Sequence, residues 1–128
     1  MTSATVAASD GSTNYWGTTA SQMQSGVTVT GNAITGTLTK LTSGQLVTDW
    51  GEGYFLALKF DNFSSGLTYS DVQVGLNPSV SSGWKELDSD KDGVFKITDK
   101  NAQKLGIKQS KNGVTRIDYY DLSGLTLS

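Results

Sequence analysis

The stretch KLGIKQSKNGVTRIDYYDL (residues 104–122) sets the fold class of this chain. Asn112-Gly113 supplies the two positive-φ positions that a type I′ turn demands. Apolar residues alternate on both sides of it, Leu105 and Ile107 on one arm, Ile117 and Tyr119 on the other. Period-two alternation around a two-residue turn predicts an antiparallel hairpin.

The same period recurs through the rest of the chain. VTVTG (27–31) alternates Val27 and Val29 with threonine, and NAITGTLTKL (32–41) sets Ile34, Leu38 and Leu41 among threonines. GYFLALKF (53–60) places Phe55 and Ala57 on one side and Tyr54, Leu56, Leu58 and Phe60 on the other, the mark of a central strand buried on both faces. DVQVGLNP (71–78) alternates Val72, Val74 and Leu76 until Pro78 closes it, and SGLTLS (123–128) adds a last short strand. Helical signal is confined to TDKNAQKLG (98–106), which reads as two helical turns, a loop or a bulged strand. Short strands separated by turns predict an all-β, immunoglobulin-like antiparallel β-sandwich over residues 27–128.

Residues 1–26 differ in kind. Small polar residues dominate, and Asp10 is the one charged side chain before Lys40. Such a segment buries too little apolar area to offset its ordering entropy, which predicts a flexible or extended N-terminal arm. Tyr15 and Trp16 are two large rings in that setting, suited to docking into an apolar pocket of a partner. The other reading is that they cover one end of the sandwich.

Composition narrows function. The chain has 128 residues, no Cys and no His. Disulfides, thiol nucleophiles, Ser-His-Asp triads and most zinc sites are thereby excluded. A net charge of −2 gives no reason to expect nucleic-acid or anionic-membrane binding, and no apolar run approaches the ~20 residues that span a bilayer. The N-terminus lacks the basic and apolar regions of a secretory signal. Eight of the ten basic residues fall between Lys85 and Arg116, interleaved with acids as on a solvated β surface.

One stretch raises a metal question. DSDKDGVFKITD (88–99) puts Asp88, Asp90, Asp92, Gly93 and Asp99 at positions one, three, five, six and twelve of an EF-hand loop. Its flanks, WKEL and VFKIT, are strand-like, with no helices to aim ligands. Asp and Gly are also the residues of a tight exposed turn, so the stretch reads as a hairpin turn and no cofactor or metal is expected.

Four phrases, GNAITGTL, GYFLALKF, VFKITDKNAQKL and YDLSGLTLS, are similar to those of the small immunoglobulin-like structural proteins in tailed-bacteriophage head modules, the head fibre and capsid decoration proteins. The resemblance covers about residues 15–128. It implies a non-enzymatic virion protein, made in the host cytoplasm, that binds the outside of the capsid. The phage major capsid protein would then be its partner, with a glycan or a second copy of the chain as further candidates. It carries no site motif, so Tyr15 and Trp16 rest on their chemistry alone.

Three rivals stand beside it. A carbohydrate-binding module would use Trp16, Trp50, Tyr54 and Trp84 as stacking faces. A cell-surface adhesion domain would share the architecture. A glycosidase built on Asp49 and Glu52 would need a cleft holding its carboxylates about 5–9.5 Å apart, which nothing in the pattern predicts.

Overall fold

The computed structural model describes residues 4–11, 24–42, 51–59, 67–79, 81–86 and 93–128. Ten strands are placed: β1 (Thr5–Ala8), β2 (Val27–Thr30), β3 (Ala33–Leu38), β4 (Phe55–Lys59), β5 (Val72–Leu76), β6 (Trp84–Glu86), β7 (Val94–Lys96), β8 (Lys104–Lys111), β9 (Val114–Asp121) and β10 (Leu125–Leu127). They form a three-stranded sheet, β1-β4-β7, packed on a seven-stranded sheet. The expected all-β sandwich is what forms. No described residue is α-helical, and 98–103 make a turn closed by the Ala102 N–H on the Asp99 carbonyl at 3.2 Å.

The hairpin is as the turn chemistry predicts. Asn112 has φ +52° and Gly113 +78°, and Lys111 pairs with Val114. That register puts Leu105 opposite Tyr120 and Ile107 opposite Asp118. Leu105, Ile107 and Tyr120 therefore face the core, while Ile117 and Tyr119 lie on the opposite face, half-buried. The two apolar alternations read from the sequence thus belong to different faces. A two-residue turn leaves no other arrangement, because directly paired residues share a face.

The large sheet is mixed where an antiparallel one was expected. β2 runs antiparallel along one side of β3, while β9 and β10 lie along the other side and are parallel to it. β10 continues the course of β9 after a short turn, in which the Leu125 N–H bonds the Leu122 carbonyl at 3.0 Å. Both pieces therefore run in one direction along β3. Gly36 stands at φ +110°, where a Cβ would meet the Gly26 carbonyl oxygen, so only glycine lets β2 close on β3.

β4 is the strand on which both cores meet, as its double-sided apolar pattern predicts. Leu56 and Leu58, with Val6 and Ala8 of β1, face Ile34, Leu38, Val72, Leu105 and Ile107 across the sandwich. Phe55 and Ala57 turn the other way and pack with Leu41 and Val94. Removing such buried side chains costs about 2–5 kcal/mol each.

Two expectations need correction. The predicted arm over residues 1–26 begins with a core strand: Ala4, Val6, Ala7 and Ala8 are buried, and β1 pairs with β4 from Thr5↔Lys59 to Ala8↔Leu56. Small side chains here fill space that β4 leaves beside the large sheet. Nor do the strands around the acidic stretch form a hairpin. β6 pairs with β5 in the large sheet and β7 with β4 in the small one, so the chain crosses between sheets. Local turn chemistry does not distinguish the two connections.

Tyrosine hydroxyls tie the sheets at both ends. The Tyr120 O–H of β9 donates to the Ala4 carbonyl at 2.6 Å, just before β1. The Tyr54 O–H, just before β4, donates to the Ser128 carbonyl at 2.8 Å, just after β10. Burial first, then the nearby Asp118, pushes the Tyr120 phenol above its ordinary value. A phenol whose pKa is raised by folding contributes stability that is complete below pH ~10 and lost as pH rises through its folded pKa. Tyr120→Phe leaves a buried carbonyl without this donor, so it is expected to cost about 1–3 kcal/mol in urea unfolding at neutral pH. The variant should also show a shallower loss of stability above pH ~10 than wild type.

Candidate functional site

The outer face of the large sheet carries the chemistry that the core does not use. Register places Trp84 opposite Gly75, Gly75 opposite Gly106, and Gly106 opposite Tyr119, one row across β6, β5, β8 and β9. The glycines explain its shape. A Cβ on Gly106 would lie 2.6 Å from Trp84 Cη2 and 2.7 Å from Pro78 Cγ, and one on Gly75 would lie 2.8 Å from Pro78 Cβ. The Trp84 benzo ring reaches Gly106, and the Pro78 ring lies over both glycines, with the Gly83 carbonyl oxygen also against Gly75.

Trp84 is fixed by the turn that precedes it. Its indole N–H donates to the Ser79 carbonyl at 2.8 Å. That turn is closed by the Ser79 N–H on the Ser82 carbonyl at 3.0 Å and by the Ser82 N–H on Ser79 Oγ at 3.1 Å. Gly83 follows at φ +87°, with Pro78 against it. Asn77, at φ +49°, accepts the Gln103 and Lys104 N–H groups on Oδ1, which pins the end of β5 to β8. A Trp bearing a bonded N–H and one covered face is preorganised, since its rotamer is already set.

Lysines lie over both rings. Lys108 Nζ is 4.4 Å from the Trp84 ring centre, and Lys104 Nζ is 4.4 Å from that of Tyr119. Exposed cation–π contacts of this kind contribute about 0.5–1 kcal/mol each. The rows on either side carry both signs of charge. Glu86, Gln73, Lys108 and Ile117 make one, and Lys104 faces Asp121 in the other. The Ser123 backbone N–H holds the Asp121 carboxyl below the usual carboxylate range, so it is ionised at neutral pH.

The other half of this face is different. Thr28, Thr30, Thr35, Thr37 and Thr126 are all exposed on β2, β3 and β10. Thr28 pairs with Thr35 and Thr126 with Thr37, so they share one side of the sheet.

The sequence candidates fall as follows. Tyr15, Trp16, Trp50, Asp49, Asp88, Asp90 and Asp92 lie outside the described residues. Tyr54 is buried in the core with its hydroxyl bonded, and offers no stacking face. Glu52 is exposed and 3.8 Å from Lys40. Asp99 is exposed, and its Oδ1 accepts the Asn101 N–H at 2.9 Å. Among the described residues no group of three or more His, Cys, Asp or Glu side chains is placed to hold a metal, and no helix is long and apolar enough to cross a membrane. A shallow recess opens between Ile97, Lys100, Leu122 and Leu127, at the end of the sandwich where Lys100 Nζ lies 5.6 Å from the Tyr54 ring centre. Of the two stacking candidates among the described residues, Trp84 sits on an outer face and Tyr54 does not. In the sequence Tyr119 reads as an apolar position of the hairpin arm and Lys104 and Lys108 as part of a solvated β surface; their meeting depends on register.

Two measurements bear on these assignments. Gly106→Ala forces the Trp84 and Pro78 rings outward, and is expected to cost about 1–3 kcal/mol in urea unfolding with a red shift of tryptophan emission. Calcium is expected to leave the melting temperature where chelator leaves it. Native-state binding at about 100 Kd would add ~2.7 kcal/mol, so a shift of several degrees that Asp90→Ala removes would restore the EF-hand reading.

Comparison with known proteins finds no matching family model, no matching curated protein and no matching solved structure.

Proposed function

We propose that the protein is a non-enzymatic structural protein that attaches to the outside of a bacteriophage capsid, with residues 13–29 at the contact and Tyr15 and Trp16 as its anchors. One observation supports this use of the segment: the described residues on the two sides of Tyr15 and Trp16 are bonded to each other. The Gln24 N–H donates to the Ala8 carbonyl at 3.0 Å, and Gln24 Nε2 donates to the Ser9 carbonyl at 3.1 Å and to the Thr39 carbonyl at 3.1 Å. Tyr15 and Trp16 are therefore tethered at both ends instead of trailing from a free terminus, which lowers the entropy lost when they dock.

The threonine half of the sheet starts where that segment ends. Thr28, Thr30, Thr35, Thr37 and Thr126 are short side chains with hydroxyls that donate and accept. Burying them against a flat partner orders few rotatable bonds. A tethered aromatic pair whose chain leads into a broad neutral face suits attachment to a shell, where repetition of the contact adds avidity if the protein is oligomeric.

The test is co-sedimentation with undecorated capsids of tailed bacteriophages. Wild type is expected to sediment with the shells. Tyr15→Ala/Trp16→Ala should lose at least about tenfold in affinity, since burying one ring is worth roughly 1.5–3 kcal/mol. Unchanged occupancy removes the segment from the contact, and failure of wild type to bind overturns the capsid reading.

A further inference from the structure

A second surface is left over by that reading, on the opposite half of the same sheet. We propose that the row Trp84–Gly75–Gly106–Tyr119 is a binding site for a neutral, linear polysaccharide, whose chain lies across the strands with sugar faces on the two rings. The inference does not depend on the capsid contact, which uses residues 13–29.

Four features converge on this class of ligand. The first is a ring set in place. Gly75 and Gly106 carry no side chain, the Pro78 ring lies over both, and the Trp84 benzo ring reaches Gly106 beside it, held by its N–H on the Ser79 carbonyl. The second is spacing. The benzo ring of Trp84 rests on Gly106, whose cross-strand neighbour is Tyr119, so it lies about one interstrand distance (~5 Å) from the base of the second ring. Two aromatic faces along one line suit consecutive units of an extended chain better than a compact ligand.

The third feature is the balance of groups flanking the rings. Sugar hydroxyls both donate and accept, and they need neighbours of both kinds. Lys108 and Lys104 donate, Glu86 and Asp121 accept, and Gln73 does both. A polyanion such as nucleic acid calls instead for an excess of positive charge. Here each lysine has a carboxylate in its own row, and the whole chain carries −2. The fourth is the cover over the rings. Each ammonium at 4.4 Å occupies a face that a sugar C–H face would take. A lysine side chain swings aside readily and then meets the ligand's hydroxyls.

The experiment is affinity electrophoresis in native gels that contain hydroxyethylcellulose, xylan, galactomannan or laminarin, one per gel, with polygalacturonate and single-stranded DNA as charged comparisons. Wild type is expected to be retarded by at least one of the four neutral polymers. Tyr119→Ala should weaken that retardation about tenfold, the usual worth of one flat ring stacked on an aromatic side chain. Trp84→Phe, which keeps an aromatic ring at that position, should weaken it several-fold. Urea unfolding of Tyr119→Ala separates loss of the site from loss of the fold, and Lys104→Ala/Lys108→Ala, which leaves both rings in place, must still bind through them. No retardation by any neutral polymer overturns the proposal. So does retardation that Tyr119→Ala and Trp84→Phe leave unchanged, or retardation by polygalacturonate or DNA alone. None of these outcomes bears on capsid binding, which is read by sedimentation.

Discussion

Everything in this structure depends on β4 having a neighbour on each side and an apolar layer on each face. The chain has no cysteine, so covalent cross-links do not hold the sheets together. Leu56 and Leu58 supply the small sheet's side of the main core, and Phe55 and Ala57 the second cluster. A strand of five residues does this only if both of its edges are hydrogen-bonded, because an open edge would leave buried N–H and C=O groups unpaired. β1 and β7 provide those partners. They come from residues 5–8 and 94–96, about two-thirds of the chain's length apart. The small sheet is therefore the costly element to assemble, since loop closure must precede its contacts. The β8–β9 hairpin is the cheap one.

That asymmetry explains what was legible in the sequence. The hairpin could be read because its information is local: Asn112-Gly113 sets the turn and the turn sets the register. Even there, the apolar alternation on the two arms was in conflict with the turn. Leu105 and Ile107 inward oblige Tyr120 and Asp118 to be inward, leaving Ile117 and Tyr119 outside. β4 was legible because five apolar or aromatic residues in a row, Tyr54 to Leu58, have few other uses. β1 was not. The sequence TVAA has too little apolar bulk to announce a core strand, and its burial comes from the partner that β4 offers. The acidic stretch was misread as a hairpin for a related reason. Asp and Gly report that the chain turns, and they carry no information about which sheet receives it.

The candidate site was legible only in part, and along the same line. Trp84 stood out as an aromatic near a turn. Its partners could not be seen, because Gly75, Gly106 and Tyr119 lie 9, 22 and 35 positions away and meet it only through the pairings β5–β6, β5–β8 and β8–β9. Tyr54 was the opposite case. It reads both as a residue of the buried central strand and as a stacking face, and it is a core residue, held by a hydroxyl bond to the far sheet. An aromatic with a polar tip serves either role, and its partner decides which.

The glycine row also sets a physical limit on what this face is for. Glycine in a strand interior weakens the strand, through lost side-chain packing and the larger backbone entropy it gives up. Two of them, paired directly at Gly75 and Gly106, are a local loss of stability in the middle of the large sheet. Part of that loss is recovered by the Trp84 and Pro78 rings, which fill the space above. A pair of β-branched residues would stabilise the sheet more simply. It would also displace the indole from Gly106, where a Cβ would already stand 2.6 Å from Trp84 Cη2. The glycines are what let Trp84 reach Gly106, and that contact is the one on which the proposed binding row rests.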